Sequence, residues 1–157
     1  MVATGPGVRI EEIAHGFFEI ITQLGLTVPR GRRRGSGDLK DVEFLTLALL
    51  QDRGTMTVGD IQKVLGVLPA QMSRVIRSLE DREHSMIACH INPQDKRRID
   101  VRLTTAGEKA LHDYEASRLS RIVEVLSNLP EHDKEELGRL LDMVRGALLQ
   151  HRAGAPV

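Results

Sequence analysis

Apolar residues recur at helical spacing from Val8 to Leu26, at Ile10, Ile13, Phe17, Ile20, Ile21 and Leu24, which predicts a first amphipathic helix. Gly25 and then Pro29 mark its end. A second helix is predicted from Asp38, a good N-cap residue, to about Gln51. Leu39, Val42, Phe44, Leu45, Leu47, Leu49 and Leu50 make it apolar on most sides, as a buried helix is. Thr57-Val58-Gly59-Asp60 has the T-x-x-D form of a capping box. It opens a short helix with Val58, Ile61, Val64 and Leu65 inward, and Gly66 is the expected stop. Pro69 then stands where a further helix begins; it runs to about Arg82 with Met72, Val75, Ile76 and Leu79 as its stripe. Two short helices joined by a tight glycine-containing turn form a helix-turn-helix pattern.

After this the period changes. Met86 to Ile91 reads as a strand, Asn92-Pro93-Gln94-Asp95 as a turn, and Arg98 to Leu103 as a half-buried strand that sets Ile99, Val101 and Leu103 against Arg98, Asp100 and Arg102. A hairpin directly after the second short helix is a wing. Thr104 or Thr105 caps a long helix to about Leu126, with Leu111, Leu119, Ile122 and Leu126 inward. Pro130 starts a last helix with Leu137, Leu140, Leu141, Val144 and Leu148 on one face. The expected fold class is mainly α with a small β-hairpin wing (α+β). One domain over 1–157 is expected, with a helix-turn-helix and wing over 39–104 flanked by helical segments at 8–28 and 105–150.

Composition changes this picture little, and charge distribution changes it more. The chain is electrically neutral, with 22 basic and 22 acidic residues. The charge is unevenly spread: Lys63 to Arg102 carries net +3, and Thr105 to Gln150 net −3. Arg30, Arg32, Arg33 and Arg34 add a separate basic cluster. One stretch is thus suited to phosphate and another is not. A single cysteine, Cys89, excludes an intrachain disulfide framework and fits a reducing compartment. No charged n-region precedes an apolar h-region, and no apolar run reaches bilayer length, so a cytoplasmic chain without a membrane span is expected.

At the wing the sequence resembles a known family. Asp95-Lys96-Arg97, five residues, then Leu103-Thr104 and Gly107 match the D-x-R-x5-L-T-x-x-G signature of the MarR family. Met56-Thr57-Val58 through Met72-Ser73-Arg74-Val75-Ile76, with Leu79-Glu80, are similar to that family's helix-turn-helix, and the likeness extends over roughly residues 8 to 150. It implies a winged helix-turn-helix with N- and C-terminal dimerisation helices. The implied partners are a second copy of the chain and double-stranded DNA, with the recognition helix in the major groove and the wing in the minor groove. A small aromatic or phenolic ligand is also implied, in a cleft that would lie near His15, Phe18, Phe44 and Leu47. Three features depart from the pattern. Glu83-His84-Ser85 replaces the usual glycine after the recognition helix, Cys89 and His90 stand where arginine is frequent, and the Arg30–Arg34 cluster lies outside the usual contact region.

The residues support the same assignment. With the recognition stripe turned inward, Ala70, Gln71, Ser73, Arg74, Arg77 and Ser78 face outward. Short and polar side chains near a helix N-terminus suit groove insertion, and Gln and Arg can pair with adenine and guanine. Arg97 is the expected minor-groove reader, Asp95 its orienting partner through a fork-like ion pair, and Lys96 and Arg98 are phosphate contacts. Each reading has a plainer rival. The arginines could be solvated surface charge, though two matching motifs favour DNA. Cys89 reads better as a small strand residue than as a thiol sensor. The six histidines have no compact ligand spacing, so no metal is expected, and no cofactor. No nucleophile elbow, P-loop or dinucleotide fingerprint is present in the sequence, so no enzyme is expected. The expected function is a sequence-specific DNA-binding regulator, a repressor on a pseudo-palindromic operator, open to release by a small ligand. The alternative is a dimeric interaction or antirepressor module with the same fold and weak DNA binding.

Overall fold

The computed structural model describes residues 9–27 and 39–154. The Arg30–Arg34 cluster and Asp38 therefore lie outside the described residues. The element order is α1 (Ile10–Thr27), α2 (Asp41–Arg53), β1 (Met56–Thr57), α3 (Val58–Leu65), α4 (Pro69–Glu80), β2 (Ile87–Ile91), β3 (Ile99–Leu103), α5 (Thr105–Ser127) and α6 (Glu131–Gly154). Among the described residues, six helices and a three-stranded antiparallel sheet of order β1-β3-β2 make the mainly α, α+β class expected from the sequence. None of the described helices is long and apolar enough to cross a membrane.

The chain divides into two compact units. One holds Pro29–Arg118, the other Met1–Val28 with Leu119–Val157. The first contains α2, β1, α3, α4, the hairpin and the first part of α5. Its core is aliphatic: Leu47, Leu50, Ile61, Met72, Leu79, Ile87, Val101 and Leu111 are buried. The compact winged unit therefore extends past Leu103 into α5, because Leu111 joins that core and Tyr114 stacks on Phe44 at 4.4 Å between ring centroids. Arg118 lies over the Tyr114 ring and reaches Asp41 at 3.6 Å.

Local chemistry explains most boundaries. The Thr57 hydroxyl accepts the Asp60 N–H at 3.1 Å and donates to the Asp60 carboxylate at 2.7 Å, so the predicted cap of α3 forms. Gly66 closes that helix in the left-handed region, at φ 63° and ψ 30°, where a side chain would be strained. Thr104, rather than Thr105, caps α5, accepting the Gly107 N–H at 3.1 Å. Helix α2 starts at Asp41 with Lys40 as its N-cap, later than the expected cap at Asp38, because the Glu43 carboxylate accepts the Lys40 N–H at 2.9 Å. Helix α1 continues through Gly25 to Thr27.

Several apolar residues expected inward are not. Val64 is exposed, since only the flank of α3 that carries Val58, Ile61 and Leu65 meets the core. Leu45 is exposed on α2, so that helix is not buried on every side. In the other unit, α6 has no buried residue, although Leu140, Leu141, Met143, Val144, Leu148 and Leu149 form an apolar series along it. Exposed Ile10, Ile13, Phe17, Phe18, Ile20 and Ile21 do the same on α1, and Leu119, Val123 and Val125 on α5.

Candidate nucleic-acid interface

The unit Pro29–Arg118 presents a helix-turn-helix and a hairpin. Pro69, at the first position of α4, costs no hydrogen bond there, and Leu68 is the N-cap in extended conformation. Met72, Val75 and Leu79 anchor α4 to the core. That leaves Ala70, Gln71, Ser73, Arg74 and Arg77 exposed, as the helical period requires. Among the described residues neither the Arg74 nor the Arg77 guanidinium has a partner, and no acidic residue stands in the first turn. An uncompensated basic helix face is what a polyanion can neutralise. Gln71 and Arg74 also line a cleft of about 250 Å³ beside Lys40 and Asp41 at the start of α2.

Ser78 differs from the other five. It is half-buried, and its hydroxyl donates to Glu43 at 2.6 Å. Glu43 is 2% exposed and also accepts from the Arg82 guanidinium at 3.0 Å. One buried carboxylate thus joins the start of α2, the last turn of α4 and the segment leading to the wing. The sequence pattern does not single it out. The only local signal is the spacing of Lys40 and Glu43, which is that of the capping arrangement they form.

The hairpin is pinned at its turn. Asn92 donates to the Asp100 carboxylate at 3.0 and 3.1 Å, and its side-chain oxygen accepts the N–H groups of Gln94 and Asp95 at 2.9 and 3.0 Å. Asp95 accepts the backbone N–H of Arg97 at 3.0 Å. This replaces the fork-like ion pair expected between Asp95 and the Arg97 guanidinium: the carboxylate shapes the turn, and the Arg97 side chain has no partner among the described residues. Lys96 is likewise exposed and unpaired among them. Arg98 is not free, lying 3.7 Å from Asp60 at the start of α3. Both side chains are about half exposed, so this pair contributes little stability. The missed element is β1, whose Met56 and Thr57 pair with Val101 and Asp100.

The four residues expected around a ligand are spread over the two units. His15 and Phe18 are exposed on α1, with His15 3.5 Å from Glu19. In the winged unit Phe44 is stacked on Tyr114, and Leu47 is fully enclosed in the core. A cleft of about 570 Å³ in that unit is lined instead by residues including Arg82, His84, Met86, Ala106 and Lys109.

Cys89 is half-buried on β2, paired with Val101. Burial, and then the neighbouring Glu80 carboxylate, push its thiol up to about 11. At neutral pH it holds about a hundredfold less thiolate than an ordinary cysteine, which opposes a sensing role. Alkylation by iodoacetamide is expected to be slow at pH 7.5 and to climb about tenfold per pH unit to pH 9.5 without levelling off. A plateau near pH 8.5 would contradict this environment.

Residues 39–99 match the model of the MarR family. Among curated proteins, none matches the chain. Solved structures do. Transcriptional regulator Tm0710 from Thermotoga maritima is 16% identical, with a TM-score of 0.71 over 92% of this chain and 99% of its own. A mutant of S. aureus MepR, bound to an oligodeoxyribonucleotide, is 22% identical, with a TM-score of 0.58 over 87% of this chain and 97% of its own. BpsR of Bordetella bronchiseptica, whose DNA binding is regulated by 6-hydroxynicotinic acid, is 19% identical, with a TM-score of 0.57 over 85% of this chain and 98% of its own. Identities of this size establish the fold.

Proposed function

We propose that this chain, whose residues 39–99 match the MarR family model and whose fold is winged, is a sequence-specific DNA-binding transcriptional regulator that acts as a homodimer. The observation that carries the reading is the set of exposed, uncompensated side chains on one unit: Gln71, Arg74 and Arg77 on α4, and Lys96 and Arg97 on the wing. Gln71 and Arg74 read base edges in the major groove, Arg97 enters the minor groove, and Lys96 holds phosphate. The DNA held by MepR supports this use of the fold. Ser78 and Arg98 serve the frame of the reading head rather than the DNA, since each is engaged within the protein.

The homodimer is supported by α1, α6 and the end of α5, whose apolar series lie open in the single chain. Helices with such stripes need a partner surface, because propensity alone rarely holds a helix in water. A two-fold arrangement places the recognition helices about 34–36 Å apart on a pseudo-palindromic operator. Occupying a promoter makes the regulator a repressor. A small aromatic ligand that favours another spacing of these helices would release it, as the regulation of BpsR by 6-hydroxynicotinic acid suggests. Within the winged unit Phe44 and Leu47 remain proposed ligand contacts, with Leu47 reached only if the core opens. A module that binds a protein instead of DNA is the second reading, favoured by the diversion of Ser78 and Arg98 to internal partners.

Fluorescence anisotropy of the chain on its own upstream DNA and on a shuffled duplex, over a salt series, tests this. Affinity is expected to prefer the upstream DNA and to fall by about 10³-fold or more between 50 and 200 mM salt. Arg74→Ala is expected to erase much of the preference, at about 1–3 kcal/mol. Arg97→Ala is expected to weaken both duplexes and lower the salt slope by about two, one contact being lost from each subunit of the dimer. No binding at low salt would favour the protein-binding reading.

A further inference from the structure

The free end of the wing is apolar. Ile91 and Ile99 are cross-strand partners, and they share a face of the hairpin with the pairs Ile87–Leu103 and Cys89–Val101. Nearer the body that face is covered, with Ile87 1% and Val101 0% exposed. At the tip Ile91 is 68% and Ile99 46% exposed. Strand pairing alone does not require this, because threonine fits a solvated strand position equally well.

The same tip is fixed and cationic. Asn92 and Asp95 pin the turn, and the Arg98 guanidinium lies 3.7 Å from Asp60 of α3. Lys96 and Arg97 stand on that turn, exposed and without side-chain partners among the described residues. An apolar pair edged by lysine and arginine suits one occupant above others. Protein interface cores are depleted in lysine. A DNA minor groove offers apolar deoxyribose walls between two rows of phosphates, and apolar side chains enter it beside basic ones. We propose that Ile91 and Ile99 are DNA-contacting residues that seat against the walls of the minor groove, with Arg97 in the groove and Lys96 at its edge. This rests on the DNA-binding reading and adds to it a component of affinity that does not depend on salt.

The test uses the full-length protein and a duplex it selects from a random-sequence library. Ile91→Thr/Ile99→Thr keeps β-branching at both positions. It is expected to weaken binding about tenfold or more, with the slope of log affinity against log salt unchanged. Lys96→Ala is expected to lower that slope by about two, one phosphate contact being lost from each subunit. If the double variant melts lower than wild type, Ile91→Thr alone carries the test, with an expected loss of about threefold. Unchanged affinity overturns the proposal, as does a loss accompanied by a smaller salt slope. A change of oligomeric state with affinity retained would assign the pair to contacts between copies, and overturns it too. Failure of the wild type to select any duplex would remove the DNA-binding reading itself, before any variant is compared.

Discussion

Glu43→Ala is expected to lower stability by about 3–5 kcal/mol, the cost of removing one partner from a buried ion pair. The carboxylate is 2% exposed and accepts three hydrogen bonds, from the Lys40 N–H, the Ser78 hydroxyl and the Arg82 guanidinium. Its loss takes one partner from a guanidinium that is 21% exposed, and opens a void between α2 and α4. Glu43→Gln keeps the shape and an acceptor oxygen, and its cost is expected to be about 1–2 kcal/mol. Urea unfolding of the three proteins measures both. Because Ser78 and Arg82 follow the reading face of α4, any Glu43→Ala protein still folded is expected to bind DNA less tightly, with an unchanged salt slope. A loss of stability below about 1 kcal/mol would mean that the pair behaves as a solvated surface bridge.

Gly107→Ala is the second large effect, expected at about 2–3 kcal/mol net. A Cβ at Gly107 would lie 2.1 Å from the carbonyl oxygen of Met86 and 2.8 Å from a methyl of Leu103. That carbonyl already accepts the Thr104 N–H at 3.1 Å, so it cannot turn aside without losing a bond. Overpacking of about 3 kcal/mol or more outweighs the gain of roughly 0.5–1 kcal/mol from replacing a helical glycine. Gly59→Ala is the control. Its Cβ would meet nothing within 4 Å, and it is expected to be neutral or slightly stabilising. Urea midpoints of the two variants decide the matter. A Gly107→Ala protein as stable as wild type would show that α5 can shift away from β2 without cost.

Gly107 also shows how a motif can be legible before its reason is. The Leu-Thr-x-x-Gly spacing was readable in the sequence. The structure supplies its cause: Leu103 and Met86 crowd the glycine, and Thr104 caps α5 while donating to the Ser85 carbonyl at 2.6 Å. The Asp95 position was legible in the same way. The fork-like ion pair expected of it does not form; Asp95 accepts the Arg97 backbone N–H instead, because a short turn brings that N–H within reach.

What depends on near neighbours could be read from the chain alone. Helical and strand periods, the Thr57 cap, the Gly66 stop, the hairpin turn and the outward face of α4 all follow from residues within about one turn of each other. What depends on residues far apart in the chain was settled by packing. Glu43 is buried because Ser78 and Arg82 reach it across 35 and 39 positions. The two-residue β1 exists because β3 offers it an edge, and Arg98 is held because Asp60 stands beside it. Charge and polarity belong to the residue, but whether a charged group meets water, DNA or a buried partner is set by which distant element packs against it.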